Sequence, residues 1–559
     1  MTVDILKEQT AVPGLRVLPL GGLGEIGLNM MVFEYEGKIL LVDCGLMFPD
    51  MNMIGVEYAV PDISALEGRG ADIVGLVLTH GHEDHIGAVP LLLERLGNPP
   101  VFGLPLTVGL LKCRLGECEM RCKPALHTVD PEERLSLPPF EVEFFRVAHS
   151  IVDSVGLALR TPAGLVVHTG DFKLDPSPLA GHRVEEERLA AFGREGPLLL
   201  LSDSTNVESD GWTPSEREVG AAFAELFPQC RGWLVMTTFS SNIHRIQQAV
   251  DCAVALGRRI LITGRSMQLV CRVARELGVL RLPDPMLIGF KELRELPRDK
   301  VFVITTGSQG EPQSVLTRIA RGEHKQLQLE EGDMVIISSR MIPGNECLIN
   351  QNINNLYRRG AQVHYQGVSP VHVSGHASRA ELQRVLELVQ PRWFIPVHGE
   401  YRHLARHAEL ARQLGVETAL VENGQPVTVS WQDLAFGEPV PSGRILVDGL
   451  GVDLVGLEQL RERRRLAGHG LVVARLTLDE AGGALLEPPE FLVRGFVPAE
   501  EEEYYAPAAS AVQSLLAEAP EDLLADEDAL KDAVRRCLQR HFSRALEKRP
   551  LIVPLLIWR

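Results

Sequence analysis

The chain has 559 residues, too many for a single hydrophobic core, so we expect roughly three or four domains. Its 45% hydrophobic and 23% charged residues form a globular balance that excludes a largely disordered protein. A net charge of −18 argues against a simple nucleic-acid-binding protein, which usually presents a basic surface. Ten of the excess acidic residues lie between Glu500 and Asp528, however, so the rest of the chain can still form a local positive channel.

Two features predict where the protein resides. The N-terminus has no basic segment followed by an apolar one, and no apolar run reaches about 18 residues, so we expect neither a secretory signal nor a membrane span. The nine cysteines are scattered, and the tightest set, Cys113, Cys118 and Cys122, fits no zinc motif. Free thiols are typical of a reducing compartment, and we therefore predict a cytoplasmic protein.

The first 200 residues predict short strands that end in polar loops. These strands are expected at 15–20, 28–35, 38–43, 73–79, 141–147, 155–160, 164–168 and 197–202. Many are apolar on both faces, which is typical of strands buried between two layers.

From about residue 215 to residue 365 the pattern becomes a regular alternation of strands and helices. Strands are predicted at 233–239, 259–264, 300–307 and 333–339, with helices such as 243–256 and 266–277 between them. This alternation predicts parallel strands joined by crossover helices.

The remaining chain predicts a return to the first part and then a small separate α/β domain. A helix at 378–389, a strand at 392–399 and a helix at 402–414 come first, and the Pro- and Gly-bearing segment 437–445 is typical of a linker. Strands are then predicted at 471–478 and 491–497, helices at 506–518 and 525–547, and a buried strand at the apolar end, 551–558.

The strongest functional signal lies in the segment 76–90, which runs from strand through loop to helix. It places His80, His82, Asp84 and His85 within six residues, directly after a buried strand. Imidazole and carboxylate are the ligand types of Zn²⁺ and Mn²⁺. Residues two apart on such a loop can face one ion, and the Asp–His pair that follows can face a second. The segment therefore predicts a site for two divalent metal ions.

Such a site needs further ligands, and three candidates lie downstream. His149, Asp171 and His398 each follow a hydrophobic strand and precede a turn that contains Ser or Gly. The carboxyl ends of strands are where loops converge on a site. One histidine in this position is more often structural, so the joint pattern carries the prediction.

At this point the sequence resembles the metallo-β-lactamase superfamily. HGHEDH is similar to its HxHxDH signature, and the three downstream residues match its later ligand motifs. The resemblance implies an αββα sandwich and two divalent metal ions, Zn²⁺ in the first place, with Mn²⁺ or Mg²⁺ as alternatives. It implies two groups of three ligands and one bridging residue: His80, His82 and His149; Asp84, His85 and His398; and Asp171.

The spacing of the ligands narrows the resemblance. Asp171 and His398 lie 227 positions apart, far more than a lactamase-like domain needs, so the block between them looks like an inserted domain. This resembles the β-CASP nucleases, and Asp203 and His376 look like two of their further motifs. Additional segments are similar to the bacterial ribonuclease J family: 19–30, 44–50, 202–206, 239–245, 305–312, 338–346 and 371–378.

Together these patterns predict five parts of the chain. Residues 1–210 and 369–436 are expected to form the metallo-β-lactamase domain, and 211–368 the inserted β-CASP domain. Residues 437–455 are expected to be a linker, and 456–559 a C-terminal α/β domain that holds a dimer together.

The resemblance implies an activity. It implies a 5′-to-3′ exoribonuclease that acts on single-stranded RNA with a 5′-monophosphate, with possible endonuclease activity, in RNA decay and in RNA and rRNA processing. Hydroxide activated by two metals would leave 5′-phosphates. His376 is the candidate general acid, oriented by Asp203, and Asp84 is counted with them as catalytic. A homodimer is implied, and partners in an RNA-degradation complex are left open.

A second substrate site is suggested by the loop HVSGHAS, which precedes a helix. Small residues at a helix N-terminus form a ready anion site. The resemblance suggests that the loop holds the RNA 5′-monophosphate through His372, Ser374, Gly375, His376, Ala377 and Ser378. The alternative is ordinary helix capping by Ser374 or Ser378. Phe48 could stack on a base, or it could simply be a packing residue.

The motif GxGxxG also occurs, as Gly22, Gly24 and Gly27 after a strand. A dinucleotide site would need a helix to begin there, but the following residues predict strands. We interpret the motif as a turn that brings the backbone close to the metal site.

Other functions remain open. A different β-CASP nuclease could act on DNA or on messenger 3′ ends, and a small-molecule metallo-hydrolase could use the same metal core. The inserted block and the SGH motif disfavour the small-molecule enzyme. The complete set of seven ligands disfavours a non-catalytic RNA-binding protein.

Overall fold

The computed structural model describes residues 14–49, 53–118, 120–179, 185–342, 344–449, 453–479, 483–495 and 502–559. The chain divides into two compact units. The first comprises the described residues up to Phe48 together with Tyr58–Ile445, and the second comprises Pro49–Glu57 together with Leu446–Arg559. The candidate metal ligands all lie in the first unit.

The chain before residue 211 consists mainly of strands. They are β1 (Leu15–Gly21), β2 (Leu23–Gly24), β3 (Met30–Tyr35), β4 (Lys38–Val42), β5 (Tyr58–Pro61), β6 (Ile73–Val77), β7 (Val101–Gly103), β8 (Leu126–Thr128), β9 (Arg134–Leu137), β10 (Phe140–Arg146), β11 (Val155–Thr161), β12 (Gly164–His168) and β13 (Leu199–Asp203). The helices are α1 (Glu83–Ile86), α2 (Val89–Leu92), α3 (Pro105–Gly116) and α4 (Glu186–Glu195). Every strand predicted for this part is present.

The next part alternates helices and strands, as the sequence predicts. Its elements are α5 (Glu216–Leu226), β14 (Leu234–Thr237), α6 (Ile243–Ala255), β15 (Arg259–Ile262), α7 (Arg265–Glu276), α8 (Phe290–Leu293), β16 (Val301–Thr305), α9 (Val315–Arg321), β17 (Met334–Ile337), α10 (Glu346–Arg358) and β18 (Gln362–Tyr365). The strands form one parallel sheet in the order β15-β16-β14-β17-β18. Parallel neighbours need crossover connections, which the helices supply.

The chain then returns to the first part. The returning elements are α11 (Arg379–Val389), β19 (Trp393–Val397), β20 (Gly399–Glu400), α12 (Tyr401–Gln413), β21 (Glu417–Thr418), β22 (Val427–Val429) and β23 (Leu434–Phe436). Strand β19 pairs in parallel with β13, so the insertion leaves after one central strand and comes back beside it. The two large sheets run β23-β22-β1-β3-β4-β6-β7-β8 and β21-β19-β13-β12-β11-β10-β9, and each combines strands from before and after the insertion.

Strand β13 illustrates why these sheets form layers. Leu199 and Leu201 join a core shared by both large sheets, whereas Leu200 joins a second core beneath helices α4, α11 and α12. Because side chains alternate along a strand, a strand that is apolar on both faces must be covered on both. Helix α3 contacts β7 and β8 of the other sheet. The predicted αββα sandwich with an inserted α/β domain is confirmed.

The C-terminal part of the chain forms a small α/β layer. It contains β24 (Arg444–Asp448), β25 (Asp453–Val455), α13 (Leu457–His469), β26 (Leu471–Leu478), β27 (Glu490–Arg494), α14 (Glu502–Ala517), α15 (Glu521–Ala525), α16 (Glu527–Leu546) and β28 (Leu551–Trp558). The strand order is β27-β26-β28, and α14 and α16 share one core with this sheet. Within the segment expected to be a linker, β24 and β25 pair as antiparallel strands.

The apolar C-terminal end is expected from the sequence to be a buried strand. The apolar end does form a strand, but it lies at the sheet edge, and Val553 and Leu555 are 43% and 49% exposed, so the expectation of a buried strand is wrong for that face. Of the predicted acidic run, Glu500 and Glu501 lie outside the described residues. No helix in the described part of the chain is both long enough and apolar enough to cross a bilayer.

Candidate metal centre and active site

The first group of candidate ligands consists of three imidazoles. His80 and His82 lie on the loop between β6 and α1, and His149 follows β10. His82 Nδ1 lies 2.9 Å from His80 Nε2 and 3.2 Å from His149 Nε2. Three ring nitrogens therefore converge on one point, as the HGH motif and the strand-end histidine predict.

The second group lies beside the first. Asp84 and His85 lie within the short helix α1, and His398 follows β19. Asp84 Oδ2 lies 3.8 Å from His85 Nε2 and 3.5 Å from His398 Nε2. This group therefore offers two imidazole nitrogens and a carboxylate oxygen around a second point.

Asp171 lies between the two groups. Its Oδ2 atom is 3.8 Å from His80 Nε2 and 3.9 Å from His149 Nε2 in the first group. The same oxygen is 3.3 Å from His85 Nε2 in the second group. One carboxylate oxygen thus reaches both groups, which is the geometry of a bridging ligand.

The ring nitrogens that point away from the cluster have hydrogen-bond partners, and these show whether the rings can bind a metal. His85 Nδ1 donates to Asp43 Oδ2 at 2.7 Å, and His149 Nδ1 donates to the carbonyl of Gly375 at 2.8 Å. A ring that donates from Nδ1 presents its lone pair at Nε2, the atom that faces the cluster. Carboxylate or carbonyl partners of this kind are usual behind metal-bound histidines.

His398 gives a second test of the fit. Its Nε2 atom is buried and has no hydrogen-bond partner among the described residues, although buried polar atoms are normally paired. Its backbone has a φ of 52°, a strained conformation that is concentrated at functional sites. A divalent cation bound by Nε2 would satisfy this atom, so the donor set fits the metal that the resemblance implies.

Electrostatics point the same way. Burial and the neighbouring imidazoles hold the pKa of His80 and that of His149 well below the ordinary value, so both rings are neutral and able to bind metal. Burial would raise the pKa of Asp171, but His398 and His85 outweigh it and hold that pKa well below its usual range. The bridging carboxylate is therefore ionised.

A histidine–aspartate pair stands next to the cluster. His376 Nδ1 donates to Asp203 Oδ2 at 2.7 Å, and Asp203 Oδ1 accepts from the amide and the hydroxyl of Thr205 at 2.9 and 2.7 Å. Burial would lower the pKa of His376, but the Asp203 carboxylate outweighs it and raises that pKa. The pair is 4.0 Å from the cluster, measured from His376 Nδ1 to Asp171 Oδ2.

The loop 371–376 is anchored from the inserted domain. Ser338 Oγ donates to the carbonyl of Val371 at 2.6 Å. Arg245, which is fully buried, donates from Nη1 to His372 Nδ1 at 2.8 Å and from Nη2 to the carbonyl of Val373 at 3.3 Å. Because a guanidinium only donates, the His372 ring must be neutral, with its hydrogen on Nε2.

Three amides at the start of α11, where the anion site is expected, already have acceptors within the protein. Ser378 N donates to Glu381 Oε2 at 2.8 Å, Arg379 N to the carbonyl of Ser209 at 2.9 Å, and Ala380 N to the carbonyl of Gly211 at 3.1 Å. A phosphate could not displace these acceptors without opening the loop. The anion site at this helix N-terminus therefore stays a prediction, and it would need donors other than these three amides.

The residues proposed to bind the phosphate differ in their contacts and in their exposure. Ser378 is the N-cap of α11, as the alternative reading holds, and its hydroxyl lies 2.8 Å from Thr213 Oγ1. Ser378 and Ala377 are both buried, so neither side chain is open to a ligand. Ser374 Oγ accepts from His376 N at 3.2 Å, and Ser374 remains partly exposed.

Phe48 and the glycine turn also have clear positions. Phe48 is 62% exposed and touches Tyr58 only edge-on, with ring centroids 6.1 Å apart, so the packing alternative is wrong. Gly22 has a φ of +87°, and a Cβ there would lie 2.3 Å from Asn29 Oδ1. The turn continues into β2, where Leu23 pairs with Gly399, the residue after His398. The motif is therefore a turn beside the candidate metal site, as interpreted.

Sequence reasoning missed several residues that organise the site. Asp43 accepts from His85 and also from the amide and hydroxyl of Thr79, at 2.8 Å each. A sequence signal for Asp43 was available, since it directly follows the strand KILLV, just as several candidate ligands directly follow a strand. Arg245 carries no such signal, because its partners come from distant segments. Glu381 carries only part of one: it forms an S-x-x-E capping box with Ser378, whereas Leu174 and Thr213 come from distant segments.

Four family models match the chain. They are the metallo-beta-lactamase superfamily at residues 23–211, the ribonuclease J beta-CASP domain at 231–356, the Zn-dependent metallo-hydrolase RNA specificity domain at 360–421, and the ribonuclease J C-terminal domain at 458–558. Fold, site and matches together define a metal-dependent hydrolase of the metallo-β-lactamase superfamily with an inserted β-CASP domain.

Relatives over the full length narrow the class. The chain is 39% identical to ribonuclease J2 of Bacillus subtilis over 97% of this chain and 98% of the relative. It is 40% identical to ribonuclease J of Mycolicibacterium smegmatis over the whole of both chains. The chain belongs to the ribonuclease J family. This confirms the predicted enzyme class, a metal-dependent nuclease.

A solved structure gives a likeness of fold alone. A crystal structure from Enterococcus faecalis V583, described as a protein of unknown function, has a TM-score of 0.55 and 15% identity. It covers 74% of this chain and 100% of its own.

Proposed function

We propose that the protein is a 5′-to-3′ exoribonuclease that degrades single-stranded RNA with a 5′-monophosphate, and that it can also cleave internally. The observation that carries this is the single oxygen of Asp171 that reaches both ligand groups, with the His376–Asp203 pair beside it. Such an arrangement suits in-line displacement at phosphorus.

The seven ligands would hold two divalent cations, with Zn²⁺ the first candidate and Mn²⁺ or Mg²⁺ as alternatives. When bound, two such cations lower the pKa of a coordinated water and neutralise charge on the phosphate. The Asp84 side chain is 31% exposed, and its Oδ2 atom lies 3.5 Å from His398 Nε2. We propose that it orients the attacking water at the open side of the cluster.

His376 would deliver the proton that the departing ribose 3′-oxygen needs. The bond between phosphorus and the 3′-oxygen breaks, the oxygen keeps the electron pair, and the proton comes from the exposed side of the His376 ring. Asp203 holds the opposite nitrogen at 2.7 Å and favours the charged ring. The products would carry a 5′-phosphate and a 3′-hydroxyl.

The 5′-monophosphate would bind at the loop 372–375 rather than at the helix. The neutral ring of His372 has a hydrogen on Nε2, and this atom has no partner among the described residues. On the same loop, Ser374 adds a small hydroxyl side chain and Gly375 leaves the backbone uncovered by a side chain. Burial and the Arg245 guanidinium lower the pKa of His372 to about 2, so the ring would donate without changing charge. Phe48 would stack on a base of the bound strand.

We also propose a homodimer held by the C-terminal sheet. On the face opposite the core, Leu492, Val473 and Val553 form a row across the three strands. Leu492 and Val553 are about half exposed, so the face is apolar and open to a second copy. A twofold pair is the commonest oligomer. A cytoplasmic location and partners in RNA decay remain predictions, which cell fractionation and affinity purification would test.

One experiment separates the proposed activity from its alternatives. The same RNA would be offered with a 5′-monophosphate, a 5′-triphosphate or a 5′-hydroxyl, beside a single-stranded DNA of the same sequence and a chromogenic lactam. We expect processive shortening of the monophosphate RNA in preference to the others. Preference for DNA, or hydrolysis of the lactam alone, would contradict the proposal.

A further inference from the structure

Glu381 is a buried acid that the proposed reaction does not use. It lies in the first turn of α11 and is 0% exposed. Its Oε1 accepts from Leu174 N at 2.7 Å, and its Oε2 accepts from Thr213 N at 2.6 Å and from Ser378 N at 2.8 Å. Its carboxylate forms no ion pair among the described residues, although the buried Lys173 ammonium lies near enough to interact with it electrostatically. Burying a carboxylate is costly, so three amides aimed at it indicate a built arrangement.

The three amides belong to three different active-site segments. Leu174 lies three residues after Asp171, the bridging position. Thr213 lies in the segment that follows Asp203, and its hydroxyl donates to the carbonyl of His376 at 2.8 Å. Ser378 lies two residues after His376. One side chain thus joins the segments that carry the bridge, the orienting acid and the proton donor.

We infer that Glu381 is a positioning residue that fixes the His376 ring over the leaving oxygen. It touches no reacting atom and acts through the backbone of the His376 segment. Without Glu381, the His376 segment would keep its hydrogen bonds to Arg245. It would lose the hydrogen bonds that fix its position relative to the segments of Asp171 and Asp203. A proton donor displaced by about 1 Å can cost about 10²-fold in rate. The inference rests on the proposed role of His376 as proton donor.

The chemistry of the leaving group gives a test that a general structural defect would not pass. In RNA with a sulfur in place of the bridging 3′-oxygen, the phosphorus–sulfur bond breaks and the thiolate keeps the electron pair. A thiolate can leave without being protonated, because a thiol has a pKa of about 8.5 and is a far stronger acid than a ribose hydroxyl. A defect in proton donation should therefore vanish on this substrate, whereas a defect in metal binding should not.

The central variant is Glu381→Gln, which keeps the shape but turns a donor toward at least one of the amides. We expect kcat on ordinary RNA to fall about 10- to 100-fold, with KM and metal content unchanged and near wild-type rates on the sulfur-linked RNA. The matched control is Glu387→Gln, the same change at an exposed position of the same helix. Hydrogen exchange in the holoenzyme should show faster exchange at Leu174, Thr213 and Ser378 in Glu381→Gln alone.

Two further variants keep the test decisive. Thr213→Val removes the hydroxyl bond to the His376 carbonyl without burying a new polar group, so it should show the same rescue if Glu381→Gln fails to fold. His376→Ala is the reference variant, because it shows how the rates on the two RNAs change when the proton donor is lost. If His376→Ala is rescued by sulfur and both Glu381→Gln and Thr213→Val are not, the inference about Glu381 is overturned while the proposed function stands. If His376→Ala is not rescued, the role of His376 fails and the inference fails with it.

Discussion

The Nδ1 atom of His376 lies 2.7 Å from Oδ2 of Asp203, and the carboxylate is almost completely buried. A buried carboxylate against one ring nitrogen fixes both the tautomer and the orientation of the ring. The other nitrogen is then left to exchange a proton with a substrate.

This pair gives a first prediction. His376→Ala and Asp203→Asn should each lower kcat by about 10²-fold or more, because each removes proton donation in the correct tautomer. Both metals should stay bound, as metal analysis of the purified variants would show. The double variant should be little slower than either single one, because the two residues act as a unit. Loss of a metal from Asp203→Asn would instead make Asp203 a ligand.

His80 tests the dinuclear assignment. His80→Ala should remove roughly one metal equivalent and abolish cleavage, because Nε2 of His80 is one of the three ring nitrogens that converge in the first ligand group. The control is His127→Ala. His127 is exposed, stacks on Phe102 and lies outside the HGHEDH motif. Full metal occupancy with normal activity in His80→Ala would contradict the two-metal site.

A pH effect on stability is expected at His407. This ring is buried, and burial lowers its pKa to about 3, although Asp203 opposes the shift. The folded state therefore binds fewer protons than the unfolded state below about pH 6.5, and this contribution to stability is lost as the pH falls from there toward 3. The loss should be about 1.4 kcal/mol per pH unit.

The check is a set of denaturant titrations at several pH values. His407→Gln has no ring to protonate, so its free energy of unfolding should fall less steeply with acid than that of the wild type. Equal slopes for the two proteins would show that His407 titrates normally in the folded state.

If the C-terminal sheet holds the dimer, a single substitution on its exposed face should prevent dimerisation without unfolding the protein. Val553→Arg should shift the protein from dimer to monomer in light scattering, because it places a charge on the exposed face of β28. Ser510→Arg adds the same charge on α14, which packs on the opposite face, and should leave the mass unchanged. A wild type that is monomeric at micromolar concentration would reject the dimer. A Val553→Arg variant that stays fully dimeric would place the contact elsewhere.

Local patterns in the sequence predict the candidate ligands and the layers of the fold. HGHEDH and three strand-end residues are local signals, since a strand that ends at the sheet edge delivers the next side chain to the same place. Apolar strands and alternating strand–helix patterns likewise depend on near neighbours, so the sandwich and the inserted parallel sheet could be predicted. The ribonuclease J resemblance followed from short motifs of the same kind.

The contacts between distant segments, in contrast, become visible only in the folded protein. The amides of Arg379 and Ala380 look free in the sequence, but the carbonyls of Ser209 and Gly211 accept from them. Arg245 and His372 are 127 positions apart, and their hydrogen bond sets a tautomer that no local pattern encodes. Hydrogen bonds between distant segments depend on where the backbone returns, which the packing of the whole unit sets. The position of a motif was therefore predictable, whereas the use of its polar atoms was not.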